Sequence, residues 1–313
     1  MTSAPQKIRP VLPSALEPGD TIGIAAPAGV FDADRFQRGL QVLKAQGFKT
    51  VVPRGIYKKH RYLAGTDQDR ASIVNALFRD KRIRAVLCAR GGVGSLRILP
   101  WLDFAAIRGN PKIFSGFSDI SALLSALFEQ TGLVTFHGPV VTSLAEAGRR
   151  TIKSMATAFM SNQALVLTLG TAKTMAPGHA SGVVRGGNLA SLCQLAGTPY
   201  QPDLRQSLLL LEDINEPPYR IDRMLSQLQM AGCLDGVVGV MLGRFERCGD
   251  VRTIYDVVRS AFPEGIPILA GLPVGHKGQN RTLPLGLIAT LDADEGRLQY
   301  HGPAVSNGQG EKP

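Results

Sequence analysis

The stretch KIFSGFSDISALLSALF, residues 112–128, sets the fold. Its first part is an apolar run with the brevity of a buried strand, and its second carries apolar residues at helical spacing. Gly116-Phe117-Ser118-Asp119 forms the join. A strand feeding directly into a helix is half of a βαβ unit, and the same pattern recurs upstream. TIGIAAPAG (21–29) reads as a buried strand ending in a Pro/Gly loop, followed by a helix bearing Phe36, Leu40 and Leu43 on one face. TDQDRASIVNALFRD (66–80) opens with a capping-box pattern at Thr66 and Asp69. IRAVLCA (83–89) is a second buried strand, closed by RGGVG, and LVTFHGP (133–139) another, with Gly132 capping the helix before it. Strands alternating with helices predict a mostly parallel sheet, flavodoxin- or Rossmann-like, over residues 1–165. A polar Gly- and Pro-containing stretch over 166–182 reads as a linker. Beyond it, SLLLLED (207–213), GVVGVMLGRF (236–245) and a terminal hairpin over 286–300 predict a smaller, β-rich mixed domain spanning 183–313, with helices near 188–196, 217–231 and 251–262. The tail SNGQGEKP is expected to fray.

A chain of 313 residues that is 44% hydrophobic and 19% charged is an ordinary globular protein. No apolar run is long enough to span a bilayer. The first twenty residues lack a secretory h-region, so a cytoplasmic protein is expected. The four cysteines stand in unlike contexts without CxxC spacing; Cys88 and Cys193, in apolar segments, read as buried thiols, and the pattern argues against a disulfide framework or a zinc site. The net charge of +10 raises nucleic acid as a partner. The basic clusters are short and interrupted, and aromatics are only 6%, so no stacking platform for single strands is evident. An anionic small molecule suits this surface better.

A strand-to-helix corner at the carboxyl end of a parallel sheet is where open α/β folds bind ligands. There Ser118 is open to two readings: a helix cap, shared with Asp119, or a nucleophile whose oxyanion the Asp119 amide would stabilise. The segment is not G-x-S-x-G, because Ile120 occupies the fifth position. A nucleophilic serine needs a base and an orienting carboxylate. Five histidines are available: His60, His137, His179, His276 and His301. His276, in the Gly- and Pro-rich loop GLPVGHKGQNRTLPLG, can be aimed at a cleft without distorting a regular element. Glu212 closes an apolar strand, where a charge must be paired; Arg220 and Arg223 are candidate partners besides a histidine. In CARGGVGSLRILP (88–100), backbone amides of Gly91 or Gly92 could supply a second oxyanion donor, and Ser95 is a rival nucleophile or a cap.

Together, GIAAPAG, RYLAGTDQDRASIVNALFRD, AVLCARGGVGSLRILPWLDF, GFSDISALL, HGPV, GGNLASLCQLAGTPY, LLLEDINEPPYRIDR and GHKGQNRTLPLG resemble the L,D-carboxypeptidase family, which includes murein tetrapeptide carboxypeptidases and microcin-immunity peptidases. The resemblance implies a Ser–Glu–His serine peptidase in which Ser118, Glu212 and His276 form the triad. It implies Gly92 and Asp119 amides as the oxyanion hole, a structural Ser95, and Arg185, Asn188 and Glu216 near the charged ends of the substrate. It also implies release of terminal D-alanine from murein tetrapeptide in peptidoglycan recycling, by a cytoplasmic homodimer needing no metal or cofactor. Hydrolysis of peptidyl- or aminoacyl-nucleotide antibiotics is the alternative within the same chemistry. A non-catalytic small-molecule binder of the same fold, and a nucleic-acid binder, are the alternatives outside it. Val93, where the family often has an aromatic, and Pro218, where it often has tyrosine, depart from the pattern.

Overall fold

A computed structural model describes residues 8–170 and 172–307. The first part of the chain runs through β1 (Thr21–Ala25), α1 (Ala33–Ala45), β2 (Lys49–Val51), α2 (Asp67–Arg79), β3 (Ile83–Cys88), α3 (Phe104–Gly109), β4 (Ile113–Gly116), α4 (Ser121–Thr131), β5 (Thr135–His137), α5 (Val141–Leu144) and α6 (Arg149–Met160). It continues through β6 (Val166–Thr168), β7 (Lys173–Ala176), β8 (His179–Asn188), α7 (Leu189–Cys193), β9 (Ser207–Ile214), α8 (Pro218–Met230), β10 (Gly239–Glu246), α9 (Val251–Ser260), β11 (Ile268–Ala270), β12 (Leu283–Leu285), β13 (Ile288–Asp292) and β14 (Arg297–Tyr300).

Local chemistry sets the helix boundaries. Asp32 accepts the Arg35 N–H at the start of α1, and Thr66 with Asp69 forms a reciprocal capping box on α2. Gly132 ends α4 in the left-handed conformation, at φ 76°. The first sheet has the order β12-β5-β4-β3-β1-β2. Strands β1 to β5 are mutually parallel and follow the flavodoxin-like 2-1-3-4-5 arrangement, whose switch point lies between β1 and β3. Parallel strands covered on both faces must be apolar throughout, and β3 and β4 are almost wholly buried.

The second sheet has the order β6-β14-β13-β8-β9-β10-β11-β7, with a parallel centre of β8 to β11 and antiparallel strands outside it. Two features depart from the sequence reading. Residues 166–182, expected to be a linker, instead hold β6, β7 and the start of β8. β6 and β7 are short strands at the two margins of the sheet, where polar residues are tolerated; β8 runs through its centre. And β12 leaves the second half of the chain to pair antiparallel with β5, placing Leu283 opposite His137 at the margin of the first sheet. Pro284 fits there because an edge strand has an unpaired side. The chain therefore crosses between sheets twice more than a simple division at 165 and 183 implies, into the first sheet for β12 and out again for β13. The tail expected to fray lies outside the described residues from 308 onward; Ser306 donates its N–H to Pro13. Among the described residues no helix is long and apolar enough to cross a membrane.

Candidate active site

The corner after β4 is tight. Gly116 lies so close to Ile120 that a Cβ there would come within 2.7 Å of the isoleucine side chain. Phe117 is extended and Ser118 then turns left-handed, at φ 64°. Such a conformation in a non-glycine residue is strained and concentrates at functional sites. Neither residue of the pair caps α4: its N-terminus has no side-chain cap. Asp119 instead turns inward, where its carboxylate accepts the Ser95 N–H at 2.8 Å and its carbonyl accepts the Ser95 hydroxyl at 2.5 Å. Burial pushes the Asp119 carboxyl up. Ser95 thus ties the β3 loop to the corner, and Ser118 carries a hydroxyl with no hydrogen-bond partner among the described residues into a cleft of about 490 Å³.

The Arg90–Gly94 loop forms the opposite wall. A Cβ on Gly91 would lie 2.9 Å from Ser118 Cβ and 3.2 Å from its Oγ, so only glycine allows this approach. The Gly91 carbonyl is fixed by the Gly29 N–H at 3.2 Å. Gly92 is left-handed, at φ 110°, and its N–H has no partner among the described residues.

The second sheet supplies the charge. Glu212 is fully buried near the end of β9, between β8 and β10. One carboxylate oxygen lies 2.9 Å from His276 Nδ1, leaving Nε2 available to the cleft that His276 shares with Ser118. The other lies 3.8 Å from Nε2 of His137, outside hydrogen-bond range. Burial alone would raise the Glu212 carboxyl; the two imidazoles outweigh it and hold the group low, at about 2. Gly275, left-handed at φ 127°, makes room: a Cβ there would meet the carboxylate at 3.1 Å. The His276 ring packs on Phe117, with centroids 4.9 Å apart. No hydrogen bond joins Ser118 to His276 here; catalytic bonds of ligand-free sites commonly tighten only with substrate. Arg220 pairs with Glu216 at 3.5 Å and Arg223 lies over Tyr219, so neither serves Glu212.

The residues expected near substrate are distributed differently. Asn188 lies beside Glu212 across the β8–β9 ladder, but its side chain caps α7 and donates to Asp213. Asp213 is pushed up to about 6 by burial, against the N–H donors of Ala190 and Ile214. Glu216 is partly exposed and engaged with Arg220. Arg185 forms an ion pair with Glu129, two turns along α4 from the corner, and its guanidinium lies 4.6 Å from the Phe128 ring centre. The reason is strand geometry. Gly187 is the residue of β8 that meets Ser121 and His137, and Arg185, on the same face, is displaced about 6.6 Å along the strand.

His137 is the notable residue that sequence reasoning passed over as a strand end. It is fully buried, and neither ring nitrogen has a hydrogen-bond partner among the described residues. Its signal was the motif FHGP, placing an ionisable ring between apolar strand and tight turn. The described residues that bring metal-ligand types together are His179, Asp292 and Asp294, exposed at the start of β8, some 30 Å along that strand from Asn188.

Two family models account for most of this framework. Residues 22–138 match the LD-carboxypeptidase N-terminal domain, and residues 181–291 match the LD-carboxypeptidase C-terminal domain. The chain belongs to the LD-carboxypeptidase family. It is 38% identical to a probable murein peptide carboxypeptidase of Bacillus subtilis, over 90% of this chain and 92% of that one. It is 33% identical to the murein tetrapeptide carboxypeptidase of Pseudomonas aeruginosa, covering 89% of this chain and 94% of the relative. Its fold superposes on that of the microcin C7 self-immunity protein MccF with a TM-score of 0.89 at 29% identity, covering 95% of this chain and all of that one. Membership makes the chain one of a carboxypeptidase family.

Proposed function

We propose that the protein is a serine-type L,D-carboxypeptidase that releases the terminal D-alanine of a murein tetrapeptide during peptidoglycan recycling. The observation that carries this is the meeting of Ser118 with the Glu212–His276 pair, 2.9 Å apart, in one cleft fed by both sheets. Glu212 fixes the tautomer with a proton on Nδ1, so His276 Nε2 is the base. It takes the Ser118 proton as Oγ attacks the carbonyl of the L-residue. The Gly92 and Asp119 amides hold the oxyanion, each worth about 3–4 kcal/mol of barrier. The imidazolium, stabilised by the Glu212 carboxylate, returns its proton to the departing amine of D-alanine. Water then repeats the sequence on the acyl-enzyme. No step calls for a metal or cofactor. The remaining parts of the proposal, a cytoplasmic location and a homodimer, rest on the family resemblance and are open to fractionation and to light scattering.

Hydrolysis of an aminoacyl-nucleotide is the second reading, favoured by the likeness to MccF, structures of which contain aspartyl sulfamoyl adenosine. A nucleobase wants an aromatic face, and Phe117, the one Phe, Tyr or Trp among the described residues lining this cleft, is already packed on His276. Peptide is therefore the preferred substrate. Incubation with murein tetrapeptide should liberate D-alanine, and Ser118→Ala, Glu212→Gln and His276→Asn should each reduce turnover at least about 10³-fold. Retained turnover in Ser118→Ala would remove the nucleophile; hydrolysis of an aminoacyl-sulfamoyl adenosine but not of tetrapeptide would select the second reading.

A further inference from the structure

Beyond Glu212 the ends of β9 and β10 close over the cleft through two residues of unusual conformation. Asn215 has φ 62° and Arg247 φ 55°, both left-handed and neither glycine. Strain of this kind persists only where the surroundings impose it. Here the two support each other. The Asn215 N–H donates to the Glu246 carbonyl at 2.9 Å, and Arg247 Nε donates to Asn215 Oδ1 at 2.8 Å. With Nε fixed, the two terminal nitrogens of the guanidinium form a fork that has no partner among the described residues.

Both residues line the cleft that holds Ser118 and His276. The other two arginines of that wall are committed elsewhere: Arg35 to Glu146 at 3.1 Å, and Arg90 to the Val30 carbonyl at 2.5 Å. Among the described residues no Asp or Glu lines the cleft. An oriented, unpaired guanidinium in a cleft without acids is a site for a carboxylate, which it can grip through two parallel N–H···O bonds.

We propose that Arg247, oriented by Asn215, binds the free α-carboxylate of the substrate's terminal residue and thereby restricts the enzyme to removing one residue from the chain end. This rests on the L,D-carboxypeptidase reading above. Successive residues of a peptide are about 3.8 Å apart, so the group that reads the terminal charge must share the nucleophile's cleft, as Arg247 does. A substrate ending in an amide would leave the fork opposite a neutral group. Sites built around a polar partner discriminate strongly against analogues lacking it.

The test compares one tetrapeptide in two forms, free acid and C-terminal carboxamide, on wild type, Arg247→Gln, Arg247→Lys and Asn215→Ala. Release of D-alanine or D-alaninamide gives kcat and KM, and circular dichroism with thermal melting confirms folding. Wild type should prefer the acid by at least about 100-fold in kcat/KM, and Arg247→Gln should shrink that preference to within about fivefold, chiefly through KM. Arg247→Lys should recover part of the preference, because it keeps the charge and loses the fork. Asn215→Ala should fall between wild type and Arg247→Gln. D-Alanine release with the acid-to-amide ratio intact in Arg247→Gln overturns this assignment and leaves the peptidase reading standing. Wild-type turnover of neither form brings both down.

Discussion

Replacing Gly91 with alanine tests whether Ser118, the proposed nucleophile, is held by steric contact with the β3 loop. The added methyl would sit 2.9 Å from Ser118 Cβ, 3.1 Å from the Phe117 carbonyl and 3.2 Å from Ser118 Oγ, where ordinary contacts begin at 3.4 Å. At least one side must retreat by several tenths of an ångström, and the neighbours that would have to give are the nucleophile and the backbone of its strained turn. The Gly91 backbone is not left-handed, so alanine is compatible with it. The displacement therefore falls on the chemistry. A 1 Å misplacement of reacting groups costs about 10²-fold in rate, so a retreat of several tenths of an ångström should cost about tenfold, or about 1.4 kcal/mol of barrier. The loss should appear in kcat, measured by D-alanine release from murein tetrapeptide. The unfolding free energy should change by no more than about 1 kcal/mol, since the loop is at the cleft surface. A kcat within threefold of wild type would show that the loop yields freely and that Ser118 is not positioned by it.

Three further outcomes follow from the same geometry. His137→Phe removes one of the two imidazoles that hold Glu212 ionised, so the carboxyl should titrate higher and the acid loss of stability, read from urea midpoints between pH 2 and 5, should begin at higher pH; an unmoved profile would mean His137 only fills space. Glu212 is depressed from 4.5 to about 2, so its contribution to stability is fully present above pH 4.5 and is lost as pH falls toward 2. Urea midpoints between pH 2 and 5 should flatten in Glu212→Gln relative to wild type. Arg185→Ala strands the half-buried Glu129 and should cost on the order of 3 kcal/mol in a urea melt while leaving KM for tetrapeptide within twofold, since the pair lies away from the cleft.

How much of this was legible in the sequence depended on whether a feature is local. The strand-turn-helix at 112–131, the capping box at Thr66 and the terminal glycine of α4 are written in neighbouring residues, and the sequence reading found them. The strands within 166–182 were not readable, because three- and four-residue edge strands carry almost no alternation. Their partners, β14 and β11, lie roughly a hundred residues away. Pro284 disguised β12 for the same reason, since only its edge position makes a proline acceptable there. Among the site residues, Glu212 advertised itself as a charge ending an apolar run. Asn215 and Arg247 did not: a left-handed asparagine or arginine looks like any other until the chain is folded. The placement of Arg185 turned on which face of β8 reaches the α4 corner, a matter of register between sheets that one segment cannot reveal.

The return of β12 to the first sheet has a wider consequence. His276 is carried on a span whose two ends are moored in different sheets, at Ala270 and at Leu283. Cutting the chain after residue 165 would not liberate a self-sufficient half, because β5 would lose its neighbour and present a bare, adhesive margin to other molecules. The two sheets are thus bound to a common fate. Loss of order in either one unmoors the imidazole, and activity should vanish at the first sign of unravelling.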